Sequence, residues 1–186
     1  DYKGEILYFP VGTGNDFVMI DNRTEFFPKR NVELIEKLCN RRFGIGGDGL
    51  ILLENDPTAD FKMVYYNADG NESTMCGNGG RCIVSFAHFL EIFSKDTTFN
   101  AIDGLHHATI NDEGIVALQM IDVAKDTIKK DTEFTFLFTG SPHHVAMVND
   151  IKNFDVFENG KNIRYSDQYK PGGTNVNFVE QLSNDS

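Results

Sequence analysis

One stretch limits what this chain can fold into more than any other. Over residues 81–93 nine of thirteen residues are apolar: Cys82, Ile83, Val84, Phe86, Ala87, Phe89, Leu90, Ile92 and Phe93. A helix apolar around most of its circumference must be surrounded by protein, not laid on a surface. The segments before it supply strands for that purpose. Ile6-Leu7-Tyr8-Phe9 and Phe17-Val18-Met19-Ile20 are rich in β-formers, with turn chemistry at Gly12-Thr13-Gly14-Asn15-Asp16 between them. Residues 50–53 read as a buried strand, and residues 61–66 as another that runs into the turn Asn67-Ala68-Asp69-Gly70-Asn71. A separate helix is expected from Asn31 as N-cap, with Leu34, Ile35 and Leu38 on one stripe and Gly44 as its stop. The pattern predicts an α/β (α+β) fold, a sheet curling around a central helix whose entry carries Met75-Cys76-Gly77-Asn78-Gly79-Gly80.

Short β-like segments follow at residues 106–110, 115–120, 133–138 and 145–148. The last two flank Thr139-Gly140-Ser141-Pro142-His143, an apolar strand, Gly-polar turn and apolar strand like those of the first hairpin. Gly14-Asn15-Asp16-Phe17-Val18-Met19-Ile20 aligns loosely with Gly140-Ser141-Pro142-His143-His144-Val145-Ala146, which predicts a second copy of the fold starting near residue 120. The expected division is therefore residues 1–119 and 120–186. Cys76 lies 61 positions after Asn15, so its counterpart would fall about 61 after Ser141, beyond Ser186. The second copy is expected to be incomplete in this chain.

Composition removes several functions. With 28 acidic against 17 basic side chains (−11), the chain lacks the clustered Lys and Arg that nucleic acid needs. No apolar run approaches the roughly 20 residues of a membrane span, and the N-terminus has neither the basic nor the apolar stretch of a signal peptide. Three cysteines make no disulfide scaffold, so free thiols and a cytoplasmic location are expected.

Cys76 is the strongest chemical candidate. A lone cysteine is more often a buried structural residue, but the setting reverses that preference. Unpaired N–H groups and the positive end of the dipole at a helix N-terminus draw a thiol toward thiolate. Gly77, Gly79 and Gly80 leave those N–H groups uncovered for a carboxylate. Such a sulfur suits a base, a nucleophile or a metal ligand. Cys82, about 9 Å further along the axis at ~1.5 Å per residue, and Cys39, on the first helix, read as core. Asn15-Asp16, Asn67-Ala68-Asp69-Gly70 and Asn175-Val176-Asn177 read as turns beside strands, where Asn is usually structural. An Asn side chain also offers both donor and acceptor to a zwitterionic ligand. Gly44-Ile45-Gly46-Gly47-Asp48-Gly49 has dinucleotide-loop spacing, yet follows a helix and precedes a strand, the reverse of what pyrophosphate binding needs. His106-His107 and His143-His144 lack a spaced Cys/His set, so no metal site is expected.

Gly12-Thr13-Gly14-Asn15-Asp16-Phe17, Gly44-Ile45-Gly46-Gly47-Asp48, Tyr66-Asn67-Ala68-Asp69-Gly70 and Met75-Cys76-Gly77-Asn78-Gly79-Gly80-Arg81-Cys82 together resemble the diaminopimelate epimerases in order and spacing. Thr139-Gly140-Ser141-Pro142-His143 and Gly173-Thr174-Asn175-Val176-Asn177-Phe178 continue the match. The resemblance implies two pseudo-symmetric domains, each a curled, mostly antiparallel sheet around a central helix, with the substrate between them. It implies a pyridoxal-phosphate-independent enzyme, with no cofactor, that interconverts LL- and meso-diaminopimelate in lysine and peptidoglycan precursor synthesis. One thiolate accepts the α-proton while a thiol on the opposite face donates one. By similarity Cys76 is one of that catalytic pair and His143 is the histidine near it. Gly77 and Asn78 form the carboxylate-binding turn, and Asn15, Asn67 and Asn175 bind substrate, with Ser141 as a further contact. A homodimer is left open.

The family's second cysteine, in a Cys-Gly-Thr-Gly stretch, has no counterpart before Ser186, so the 186 residues alone are expected to be inactive. Phe9 stands where the family usually has Lys, and Ser141 where it often has Asn. Two other readings stay open: a cofactor-independent racemase of another amino acid on the same fold, and an inactive fragment that binds a ligand without turnover.

Overall fold

The computed structural model describes residues 6–10, as backbone, and residues 14–183. Residues 11–13 of the first turn, and the side chain of Phe9, lie outside the described set. The chain divides into two compact units, Asp1–Met120 and Ile121–Ser186. No helix among the described residues is long and apolar enough to cross a membrane.

The first unit is a seven-stranded sheet in which sequence neighbours are spatial neighbours: β1 (Ile6–Pro10), β2 (Asp16–Asp21), β3 (Gly49–Glu54), β4 (Phe61–Asn67), β5 (Asp96–Ala101), β6 (Gly104–Ile110) and β7 (Val116–Leu118). The pairs β2/β3 and β4/β5 are parallel and the rest antiparallel. A parallel join needs a crossover, and each one here is a helix: α1 (Val32–Cys39) joins β2 to β3, and α2 (Gly77–Phe89) joins β4 to β5. Successive strand residues point to opposite faces, and the two cores sort accordingly. Phe17, Met19, Ile51, Leu53 and Met63 pack with α2. Val18, Ile20, Leu50, Leu52 and Val64 pack with Ile35 and Cys39 of α1. Strands covered on both faces read as unbroken apolar runs, which is why Phe17–Ile20 and Leu50–Leu53 are apolar throughout.

The sheet curls so that α2 meets β2, β3, β4, β6 and β7. No residue from Gly77 to Ala87 is exposed. The central helix exists, displaced one turn toward the N-terminus from residues 81–93. At its start, Cys76 is the N-cap and its sulfur accepts the Gly79 N–H at 3.2 Å, so the glycines are helical rather than loop. Two of them are there for proximity: a Cβ on Gly80 would stand 2.7 Å from Leu118 Cδ2, and one on Gly79 3.2 Å from Ile51 Cδ1. At its end, Glu91 takes a left-handed conformation (φ 57°). The Glu91 and Ile92 amides donate to His88 and Ala87 carbonyls, a Schellman closure. Ile92 and Phe93 pack on the same core from beyond the helix, which explains why they extended the apolar pattern.

The first helix starts as expected, Asn31 Oδ1 accepting the Leu34 N–H at 3.0 Å. It ends at Cys39 rather than running to Gly44. The loop that follows turns back and satisfies the helix's terminal carbonyls. Ile45 and Gly46 N–H both donate to Leu38 O at 3.0 Å, and Gly47 N–H to Cys39 O at 3.1 Å. A Cβ on Gly44 would lie 1.9 Å from Lys37 O, so only glycine fits this fold-back.

The second unit repeats the opening topology on a smaller scale: β8 (Lys129–Lys130), β9 (Phe134–Phe138), β10 (Pro142–Met147), α3 (Val156–Arg164) and β11 (Asn175–Val179), in sheet order β11-β10-β9-β8. An antiparallel hairpin (β9/β10), a helix and a parallel third strand (β10/β11) match β1/β2, α1 and β3. Gly14 and Gly140 occupy equivalent places two residues before β2 and β10, with φ of 92° and 97°. Two expectations change here. Pro142 and His143 are already strand, and Asn175-Val176-Asn177 is the start of β11 rather than a turn.

Candidate active site

Cys76 sits where β4's exit meets the start of α2, half-buried. Its sulfur holds the Gly79 N–H and its carbonyl the Gly80 N–H. The N–H groups of Gly77 and Asn78, at the first two helical positions, have no partner among the described residues. They form, beside the sulfur, a small set of donors at the positive end of α2. The other two thiols are different. Burial pushes Cys39 up to about 11 and Cys82 up to about 12, the latter helped by the nearby Cys76 sulfur. Both are core residues, as expected.

A chain of side-chain bonds leads away from the helix start. Arg81 donates to Asn78 Oδ1. Asn78 Nδ2 donates to Asn15 Oδ1 at 2.5 Å, and Asn15 Nδ2 to Asp48 Oδ2 at 2.7 Å. Arg41 binds Asp48 Oδ1 at 2.8 Å and both oxygens of buried Asp16 at 2.7 and 2.8 Å. Each amide thus has its oxygen and one N–H engaged, which fixes its orientation and leaves one N–H over. Asn67 closes β4 on the face that carries Met63 and Tyr65, the α2 face. Its backbone is held by Asn71 O and Gly70 N–H at 2.9 Å, and its side chain makes no hydrogen bond among the described residues. Tyr65 lies edge-on to Phe17 with centroids 5.9 Å apart. Burial, and then the Cys76 sulfur, push its hydroxyl up to about 12.

In the second unit Ser141, His143 and Asn175 are brought together. Asn175 Nδ2 donates to Ser141 Oγ at 3.2 Å, and Ser141 Oγ lies 3.2 Å from His143 Nε2. Asn177 joins them, Oδ1 standing 2.9 Å from His143 Nδ1. His144 points the other way, stacked on Phe134 and bonded to Tyr169 OH at 2.8 Å, and burial lowers its pKa. His106, the other histidine singled out with its neighbour, is a core residue stacked on Phe99 and paired with Asp103 at 3.0 Å.

Sequence reasoning missed Arg41, Asp16, Asp48, Arg81 and Asn177. Asp48 is within reach of the sequence, because it stands in the glycine loop that has dinucleotide spacing and carries part of the family resemblance. That loop does follow a helix and precede a strand, and what it delivers is a carboxylate to Asn15. A side chain at Gly49 would put Cβ 2.5 Å from Tyr66 O, so β3 must begin with glycine for Asp48 to arrive there.

This is the architecture of a known class. A phenazine biosynthesis protein of the PhzF family from Bacillus anthracis superposes with a TM-score of 0.63 at 14% identity, over 97% of this chain and 68% of that one. A hydroxyproline epimerase from Agrobacterium vitis superposes at 0.54, also at 14% identity, over 79% of this chain and 53% of that one. Likenesses this distant define the fold: a curled sheet wrapped on a helix, as expected from the sequence. Sequence carries the assignment further. The family model for diaminopimelate epimerase matches residues 7–125. A diaminopimelate epimerase of Flavobacterium psychrophilum is 62% identical over 95% of this chain and 68% of its own length, and one of Chlorobaculum tepidum 45% identical over 94% and 70%. The chain belongs to the diaminopimelate epimerase family.

Proposed function

We propose that this chain provides one side of a pyridoxal-phosphate-independent diaminopimelate epimerase, with Cys76 as the acid–base thiol. One observation carries the reading: the half-buried Cys76 sulfur caps α2 next to the N–H groups of Gly77 and Asn78, which are unengaged among the described residues. A thiolate there takes the Cα proton and becomes a thiol, and the electron pair spreads into the substrate's α-carboxylate. Negative charge grows on the carboxylate oxygens as the proton leaves. N–H donors and a helix N-terminus aimed at them bind the transition state more strongly than the ground state. Gly77 and Asn78 hold that carboxylate. Asn15, with its orientation fixed, and Asn67, whose side chain makes no hydrogen bond among the described residues, bind substrate at the same end of the sheet. Ser141, Asn175 and His143 are assigned to substrate and to proton handling by their match to the family's pattern. Residues 1–119 are the first epimerase domain and residues 120–186 part of the second. The unpaired thiols fit the cytoplasm.

Inversion requires an acid on the opposite face of Cα. Cys39 and Cys82, both in the core, cannot serve. In deuterated water without pyridoxal phosphate, the full-length protein is expected to convert LL- to meso-diaminopimelate with one deuterium entering at Cα, followed by NMR. The 186 residues alone are expected to give no net epimerisation. A full-length protein that leaves Cα undeuterated sinks the reading.

Asp48→Ala tests the amide chain. Arg41 keeps Asp16, so the loop holds, but Asn15 loses the partner of its Nδ2 and is held through Oδ1 alone by Asn78. KM is expected to rise about tenfold, the value of one hydrogen bond to a charged group at the low end of its range. The change in kcat should be smaller, and steady-state kinetics measures both.

A further inference from the structure

We infer that Asn177 is a positioning residue that holds His143 as its Nδ1–H tautomer, leaving Nε2 as the proton-accepting nitrogen of the second unit's polar cluster. The four side chains form one directed line. Residues at alternate places on a strand share a face, so Asn175 and Asn177 of β11 lie on the same side, and His143 pairs with Asn175 across the β10/β11 register. An amide oxygen accepts and never donates. Because Asn177 Oδ1 is the atom 2.9 Å from His143 Nδ1, that nitrogen carries the proton. A neutral imidazole has one donor and one acceptor nitrogen, and which is which follows from the bond the other makes. Nε2 is therefore bare, and it faces Ser141 Oγ at 3.2 Å. Ser141 completes the line, since its oxygen already receives the Asn175 Nδ2 donor at 3.2 Å and its own hydrogen is available to Nε2.

The line runs Asn175 to Ser141 to His143 to Asn177, every donor matched to one acceptor. Its consequence is that His143 can gain a proton only at Nε2, on the Ser141 side. Asn177 does not touch the reacting atoms in this arrangement; it acts through the ring. What the fixed tautomer contributes to catalysis rests on the epimerase reading above, but the tautomer itself does not.

The test is spectroscopic and needs no turnover. Long-range proton–nitrogen correlation spectra of the 186-residue chain, at a pH where imidazoles are neutral, distinguish the two tautomers. His143→Gln assigns the signal by removing one of five histidine patterns. In the unaltered protein His143 is expected to be mainly Nδ1–H. Asn177→Leu should move it mainly to Nε2–H while the other four patterns stay in place, which shows the fold is intact. Asn177→Asp keeps an acceptor oxygen and should keep Nδ1–H, and Ser141→Ala should leave the tautomer unchanged. An Nε2–H ring in the unaltered protein, or a ring indifferent to Asn177→Leu, overturns the inference. A full-length protein with no epimerase activity but the Nδ1–H tautomer intact would count against the epimerase reading alone.

Discussion

Cys76→Ser is expected to fold at least as well as the natural protein and to lose diaminopimelate turnover by about 10²–10⁴-fold or more, the usual contribution of a positioned acid–base group. Two roles meet in this one side chain, and serine separates them. As an N-cap, Cys76 accepts the Gly79 N–H through sulfur at 3.2 Å, and serine is among the best residues for that task. As a base, a hydroxyl is far too weakly acidic to supply an anion near neutral pH. Cys76→Ala removes both roles and is expected to lose activity to the same degree, while also costing roughly 0.5–2 kcal/mol in stability from the missing cap. Deuterium entry at Cα in the full-length protein reads the chemistry, and urea unfolding reads the cap. Cys39→Ala and Cys82→Ala serve as controls, because both thiols are buried and their loss should affect stability and spare the rate. A serine variant that exchanges Cα hydrogen at the natural rate would remove Cys76 from the chemistry.

Phe86→Ala is expected to cost about 3–5 kcal/mol, the range for deleting a buried aromatic ring. Phe86 is fully buried on α2, in the cluster that holds Phe17, Ile51, Phe61 and Phe99. Phe61 and Phe99 are themselves stacked at 5.3 Å and cannot easily move in to fill the space. Domains have only about 5–15 kcal/mol to lose, so the first unit should unfold at a urea concentration lower by more than about 1 M. Phe89, three residues on, is 56% exposed, and Phe89→Ala should change stability by no more than about 0.5 kcal/mol. Equal losses for the two would mean that α2 is not wrapped by the sheet in the way described.

The contrast between those two phenylalanines shows where the sequence was legible. Nine apolar residues over 81–93 announced a helix enclosed by protein, because only enclosure gives apolar side chains a place on every side. They could not locate its ends. Ile92 and Phe93 are apolar because they pack on the core after the chain has left the helix at Glu91, and hydrophobicity does not record backbone direction. Strands covered on both faces, such as β3, were plain for the same reason. The second unit was harder to read. None of its apolar residues is buried among those described, so β11 hid behind its alternating asparagines. Helix α3 has no buried stripe and escaped notice.

The candidate site divides in the same way. Sequence alone determined that a cysteine stands among glycines at the mouth of an enclosed helix, and that asparagines stand beside the neighbouring strands, since these follow from local propensity and spacing. Only the tertiary structure decided that Asp48 reaches Asn15 across 33 residues, that Arg41 clamps Asp48 to Asp16, and that Asn177 meets His143 across a strand pair. Those bonds join residues far apart in the chain, and their geometry is set by sheet register and by how closely glycine lets one backbone approach another. No local pattern in the sequence carries that information.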